Sequence, residues 1–268
     1  MLRAFLIVLF QVLALLGYSN GWHITTRYYS LPSSSRAERV EQVYLYKGYM
    51  KMEGAELTTI FDLERSEIIY INHNNRTYWK GNPKKFVKEV RAELEASIEE
   101  KLVGVDAENQ AEMRAMYMEM IESSFPSSES TPDQTRSFSV KREGSGDPIG
   151  DYNTLKYGVY EDGLYLETIW IAKELPIAQD FDFVNLSNFL AQLAQGAYGT
   201  SFESSQEYFN LLETGYPVKV EIRRGDGSLD ISEVTKAERV SLSNSDFSIP
   251  KQYSYASLSA VGVWDGYL

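Results

Sequence analysis

Two hydrophobic periods alternate along this chain, and each predicts its own kind of element. Aromatic and β-branched residues fill Trp22 to Ser30, and Pro32 with Ser33, Ser34 and Ser35 breaks that run. A longer alternation from Arg39 to Met52 reads as one strand. It places Tyr44, Tyr46, Met50 and Met52 on one face and Lys47 and Lys51 on the other, so one face is wet. Short strands follow at Leu57 to Leu63, Glu67 to Ile71 and Arg76 to Lys80. Turns at Glu64-Arg65-Ser66 and Asn72-His73-Asn74-Asn75 join them into an antiparallel meander.

At Asn82-Pro83 the period changes. Asn82 suits a helix N-cap and Pro83 the first turn. Val87, Val90, Leu94, Ile98 and Leu102 then recur at spacings of three or four until Gly104. A second helix is predicted from Asp106 to Ser123, with Met113, Met116, Tyr117, Met120 and Ile121 as its apolar stripe. The Ser-, Glu- and Thr-rich stretch from Pro126 to Pro132 reads as a linker. Strands return at Ser137 to Arg142, Asn153 to Tyr160 and Leu164 to Ala172, and helices at Phe183 to Ala194 and Gln206 to Leu212. After Pro217, Val218, Val220 and Ile222 are expected inward and Lys219, Glu221 and Arg223 outward. This strand turns at Arg224-Gly225-Asp226-Gly227 into a partner over Leu229 to Leu242. The sum is an α+β chain with an antiparallel sheet and inserted helices.

Composition narrows the chemistry. The 268 residues carry 26 Lys and Arg against 38 Asp and Glu, a net charge of −12, which repels a polyanion and argues against nucleic acid as a partner. Cysteine is absent, which excludes disulfides, thiolate nucleophiles and zinc–thiolate sites. The two histidines, His23 and His73, lack partners at metal-ligand spacing, and neither a G-x-S-x-G elbow nor a nucleotide-binding glycine motif is present. No catalytic residue, metal site or cofactor is therefore assigned. Arg224-Gly225-Asp226 spells an adhesion tripeptide, but a hairpin turn wants the same residues for backbone reasons.

Residues 1–21 read as a secretory signal peptide, with Arg3 ahead of an apolar run from Ala4 to Leu16 that is too short to span a bilayer. The expected compartment is periplasmic or extracellular, with no membrane span once the leader is removed. A single domain is expected over 22–250, with a C-terminal tail over 251–268.

The 19 Tyr, 12 Phe and 4 Trp fall largely on the strands. Tyr44, Tyr46, Met50, Met52, Trp79, Met116 and Trp170 are the candidate ligand-contacting residues. Such a set lines either a filled core or a cavity, since both require burial.

Several segments carry a resemblance: Tyr46 to Glu53, Thr59 to Leu63, Tyr70 to Trp79, Ile149 to Tyr152, Glu167 to Ala172, Gly215 to Val220 and Phe247 to Pro250. Together they resemble an uncharacterised family of secreted bacterial proteins that is similar in pattern to the periplasmic lipoprotein carriers LolA and LolB. The resemblance implies an open or half-closed antiparallel β-barrel with helices packed in or over its concave face. It also implies a binding protein or carrier for a lipid, lipidated protein or other hydrophobic ligand. The alternative is a non-catalytic structural or interaction protein of the cell envelope, with a filled core and another envelope protein as its partner.

Overall fold

A computed structural model describes residues 19–32, 38–124, 136–193 and 201–263. The expected leader lies outside these as far as residue 18, and so does the whole expected linker at 126–132. The strands are β1 (Ser19–Leu31), β2 (Arg39–Tyr46), β3 (Tyr49–Glu53), β4 (Leu57–Asp62), β5 (Glu67–Asn72), β6 (Thr77–Gly81), β7 (Phe138–Ser145), β8 (Thr154–Glu161), β9 (Leu164–Ala172), β10 (Tyr216–Arg223), β11 (Leu229–Leu242) and β12 (Ser254–Tyr255). The helices are α1 (Pro83–Lys101), α2 (Ala107–Ser124), α3 (Phe183–Leu193), α4 (Gln206–Thr214) and α5 (Leu258–Val261). Among the described residues no helix is long and apolar enough to cross a membrane.

All twelve strands form one sheet in the order β12-β6-β5-β4-β3-β2-β1-β11-β10-β9-β8-β7. Neighbours are antiparallel except β12 with β6, and the end strands β7 and β12 do not pair with each other, so the sheet is open. The α+β class and the antiparallel sheet agree with the sequence expectation.

One strand reading is corrected. Arg39 to Met52 is a hairpin, reversed at Lys47 and Gly48, with Lys47 in the left-handed region at φ 51°. The pairing Tyr46↔Tyr49, Leu45↔Met50, Tyr44↔Lys51 and Val43↔Met52 inverts the parity of the second arm. Met50 and Met52 therefore share a face with Leu45 and Val43, while Tyr44 and Tyr46 take the opposite face with Lys51 and Tyr49.

The helices cover the Leu45 face. There Trp22, Ile24, Phe61, Ile68 and Trp79 from the sheet meet Phe86 and Val90 of α1, Leu186 and Phe189 of α3, and Leu258 and Val261 of α5. The Trp22 Nε1–H donates to Asp180 at 2.9 Å and Arg239 pairs with the same carboxylate at 2.7 Å, so the buried indole keeps a partner. Residues beyond 250 enter this core, since Leu258 and Val261 are fully buried and β12 pairs with β6. On the opposite face, Tyr46 and Tyr49 stack on Phe247. There His73 bonds both Thr58, at 2.8 Å, and Tyr253, at 3.0 Å.

Helix α1 starts where its local chemistry demands. The Asn82 side chain accepts from the Lys85 backbone N–H at 2.8 Å, Pro83 occupies the first turn, and Phe86, Val90 and Ile98 face inward. Asn82→Ala should cost about 1 kcal/mol in urea denaturation, because one orphan backbone donor loses its acceptor. A variant as stable as the parent would exclude that capping role. Helix α2 leans on α1 through Ile121, Met113 and Tyr117, against Ile98 and Leu102.

Candidate functional site

The seven candidate residues do not converge. Trp79, Met50 and Met52 lie on the helix-covered face, where Trp79 is fully buried and its indole N–H donates to Glu89. Tyr46 is packed on the opposite face beside Phe247, and Tyr44 is stacked between His23, at 4.5 Å, and the Lys51 ammonium, at 4.2 Å. Trp170 shares its face with Lys156 and Lys219, whose ammonium groups lie 5.6 and 4.8 Å from the ring, and Gly146 packs against its edge. Met116 is 57% exposed, because α2 turns Met113, Tyr117 and Ile121 toward α1 instead. Five of the seven belong to packed interior, one to a partly exposed stack and one to the surface.

The uncovered stretch of the helix-covered face carries a different site. β1, β2, β10 and β11 run past the helices there, and the register sets Tyr28 against Arg39 and Ser232, and Ser232 against Val220. Ile222 and Asp230 form the next rung. Together they line a cleft of about 400 Å³. Ile222 is 41% exposed, which departs from the inward position the alternation predicts for it. A bulge between Pro217 and Lys219 resets β10 against β9, and Lys219 and Glu221 then pair with each other at 2.8 Å on the far face.

Acids and phenols dominate the interior beside this cleft. The Tyr28 phenol is raised by burial and by the Glu41 carboxylate, which accepts its hydrogen bond; Arg39 opposes this from 4.6 Å above the ring. Tyr216 is pushed up to about 12 by burial, with Glu41 adding to the rise, and burial likewise raises Tyr208 of α4. Glu167 lies directly across from Ile222 on β9, 4% exposed. Its carboxyl is pushed up to about 8, chiefly by burial and then by the Glu203 charge. No described residue hydrogen-bonds or ion-pairs with it.

Other motifs are absorbed by structure. Arg224 is tied to Asp230, and Asp226 accepts from the Ser228 backbone at 2.9 Å, so both charged arms of the Arg-Gly-Asp turn are engaged locally. Asp182 accepts from the Asn185 backbone N–H at the start of α3, and Asp180 holds Trp22 and Arg239. Among the described residues no cluster of three His, Asp or Glu side chains is placed to hold a metal ion.

Sequence reasoning missed Glu167 and Ile222 as a pair because nothing local joins residues 55 positions apart. The available signal was a glutamate at an interior-facing parity of an otherwise apolar strand, Leu164 to Ala172.

No family model and no curated protein matches this chain. Among solved structures, PNGF-II in its P21 crystal form is similar at TM-score 0.36 and 9% identity, over 92% of this chain and 33% of that one. Its C2 form is similar at 0.35 and 10%, over 91% and 32%. This chain thus spans about a third of the length of PNGF-II. A LolA superfamily protein from Nitrosomonas europaea is similar at TM-score 0.19 and 9% identity, over 87% of this chain and 90% of that one.

Proposed function

We propose that the chain is a non-catalytic binding protein of the periplasm or extracellular space that holds a lipid or other hydrophobic ligand. The observation that carries this reading is the cleft of about 400 Å³ beside Tyr28, Val220 and Ile222, of the size that small-molecule sites occupy and walled by apolar side chains with a few polar groups among them. In this reading the open sheet acts as a half-closed barrel, with α1, α3 and α5 filling one part of its concavity and the cleft remaining as its mouth.

The exposed position of Ile222 makes the test clean. Ile222→Arg places a charge in the mouth without entering the packed core, so uptake of an uncharged fluorescent lipid probe should fall at least tenfold while the melting temperature is unchanged. Uptake at the parental affinity by a folded variant would remove the cleft as the binding site.

A second reading, an interaction protein of the cell envelope, is favoured by the α1–α2 hairpin, which exposes Val103, Met116 and Met120. A stable complex with an envelope protein, together with failure of the parent chain to take up any amphiphile, would select it.

A further inference from the structure

We infer that the cleft selects amphiphiles with an anionic head, and that the Arg39 guanidinium receives that head; this rests on the binding role proposed above. Arg39, Tyr28, Ser232 and Val220 form one rung across β2, β1, β11 and β10, and all four line the cleft. The rung runs from a cation on β2, past a phenol ring and a hydroxyl, to an aliphatic side chain on β10. Ile222, on the next rung of β10, extends the apolar end. Three strand spacings, roughly 14 Å, separate Arg39 from Val220. A head held at Arg39 therefore leaves its alkyl chain lying across Tyr28 toward Val220 and Ile222.

Most polar groups of the cleft are already committed. The Tyr28 phenol donates to Glu41, the Tyr29 hydroxyl to Glu233 at 3.2 Å and the Ser30 hydroxyl to Asp230 at 2.7 Å. Asp230, the carboxylate of the lining, also accepts from Arg224 at 2.6 Å, so its charge is met from within the chain. Arg39 differs. Its side chain is 70% exposed, and the one described carboxylate near it, Glu41, stands at 4.0 Å, beyond hydrogen-bond reach, and is engaged by Tyr28. No described residue hydrogen-bonds to the guanidinium. The Tyr28 ring, 4.6 Å from its central carbon, holds it through a cation–π contact that consumes no N–H donor. The planar fork stays open for two oxygens of one acceptor, the bidentate geometry that carboxylates and phosphates supply. An alkylammonium would find no uncommitted carboxylate in the lining.

The test is competition at pH 7 for the whole chain between the uncharged fluorescent lipid probe and each of decanoate, decanol and decylamine, below the concentrations at which they aggregate. Decanoate is expected to bind about tenfold more tightly than decanol. It should also outcompete decylamine, although the net charge of −12 attracts any cation and repels any anion, so that non-specific attraction works against the expected order. Arg39→Gln should lower decanoate to the affinity of decanol and leave decanol unchanged. Lys84→Gln, at an exposed position of α1, removes the same charge and should preserve the preference. Decanoate binding no more tightly than decanol, or a preference that survives Arg39→Gln, would overturn the head-group assignment while leaving the hydrophobic cleft in place. Binding of neither the probe nor any of the three amphiphiles would overturn the cleft reading and this inference together.

Discussion

Trp79→Ala should destabilise the chain by about 4 kcal/mol, within the range for removing a large aromatic from a packed interior. Trp79 is fully buried where β6 meets α1, with its ring 5.8 Å from Phe86 and 6.2 Å from Tyr70. Its indole N–H also donates to Glu89, one turn along α1 from Phe86, so the side chain joins sheet to helix by packing and by a charge-assisted hydrogen bond. Trp79→Phe separates the two contributions. It keeps most of the buried area and loses the bond, and it should cost roughly half as much as the alanine variant. Urea denaturation of the three proteins measures both values. An alanine variant within about 1 kcal/mol of the parent would mean that this junction is not packed as described.

The second large effect is a dependence of stability on pH that originates at one carboxyl. Burial holds Glu167 up at about 8 in the folded chain against an ordinary value of 4.5. Between those values folding takes up a proton. The contribution of the neutral carboxyl is therefore full below pH 4.5, declines as pH rises and is lost by the time pH has passed through 8. At pH 7 the loss is about 3 kcal/mol. Glu167→Gln, which cannot ionise, should be the more stable protein at neutral pH. The difference between variant and parent, in which other titrating groups cancel, should grow by about 1.4 kcal/mol per pH unit from pH 5 to 7.5 and level off beyond 8. A difference that stays constant with pH would show that Glu167 is ionised in the folded chain.

How far the fold is legible in the sequence follows from the range over which each signal acts. Helix α1 is legible because Asn82, Pro83 and the stripe through Val90 and Ile98 are neighbours within the helix itself. The strands from Leu57 to Lys80 and from Asn153 to Ala172 are legible because period-two alternation and turn residues are equally local. Which face a strand turns to the helices is another matter. Reading Arg39 to Met52 as continuous puts Tyr44 and Met50 together, whereas a reversal at Lys47 and Gly48 separates them without altering the pattern of apolar positions on either side. Lys-Gly is a weaker turn signal than the Asn-rich turn ahead of β6, and Lys47 accepts a left-handed conformation only at some cost. The α2 stripe is misjudged for a related reason: Met116 and Met120 are apolar, but a helix leaning on one neighbour buries a narrower arc than a core helix. The cleft is least legible of all, because Tyr28, Ile222 and Asp230 lie on three strands that only the finished sheet brings together.

The position of β1 also sets the order in which this chain can be built. β1 is the seam between two meanders, β2 to β6 on one side and β7 to β11 on the other, and its second partner lies far along the chain. Ser30 meets Asp230 and His23 meets Glu238, separations of 200 and 215 residues. Contacts within β2 to β6 close loops of a few residues, whereas the β1–β11 ladder closes the whole molecule and carries the largest entropic cost of any pairing in the sheet. During synthesis, β1 precedes the other described strands, yet its second edge stays unpaired until β11 has been made. Until residues 229–242 have been made, Trp22 to Leu31 presents a bare, aromatic-rich edge of the kind that recruits other chains. A chain truncated before Leu229 should therefore fail by aggregation rather than by simple loss of a domain.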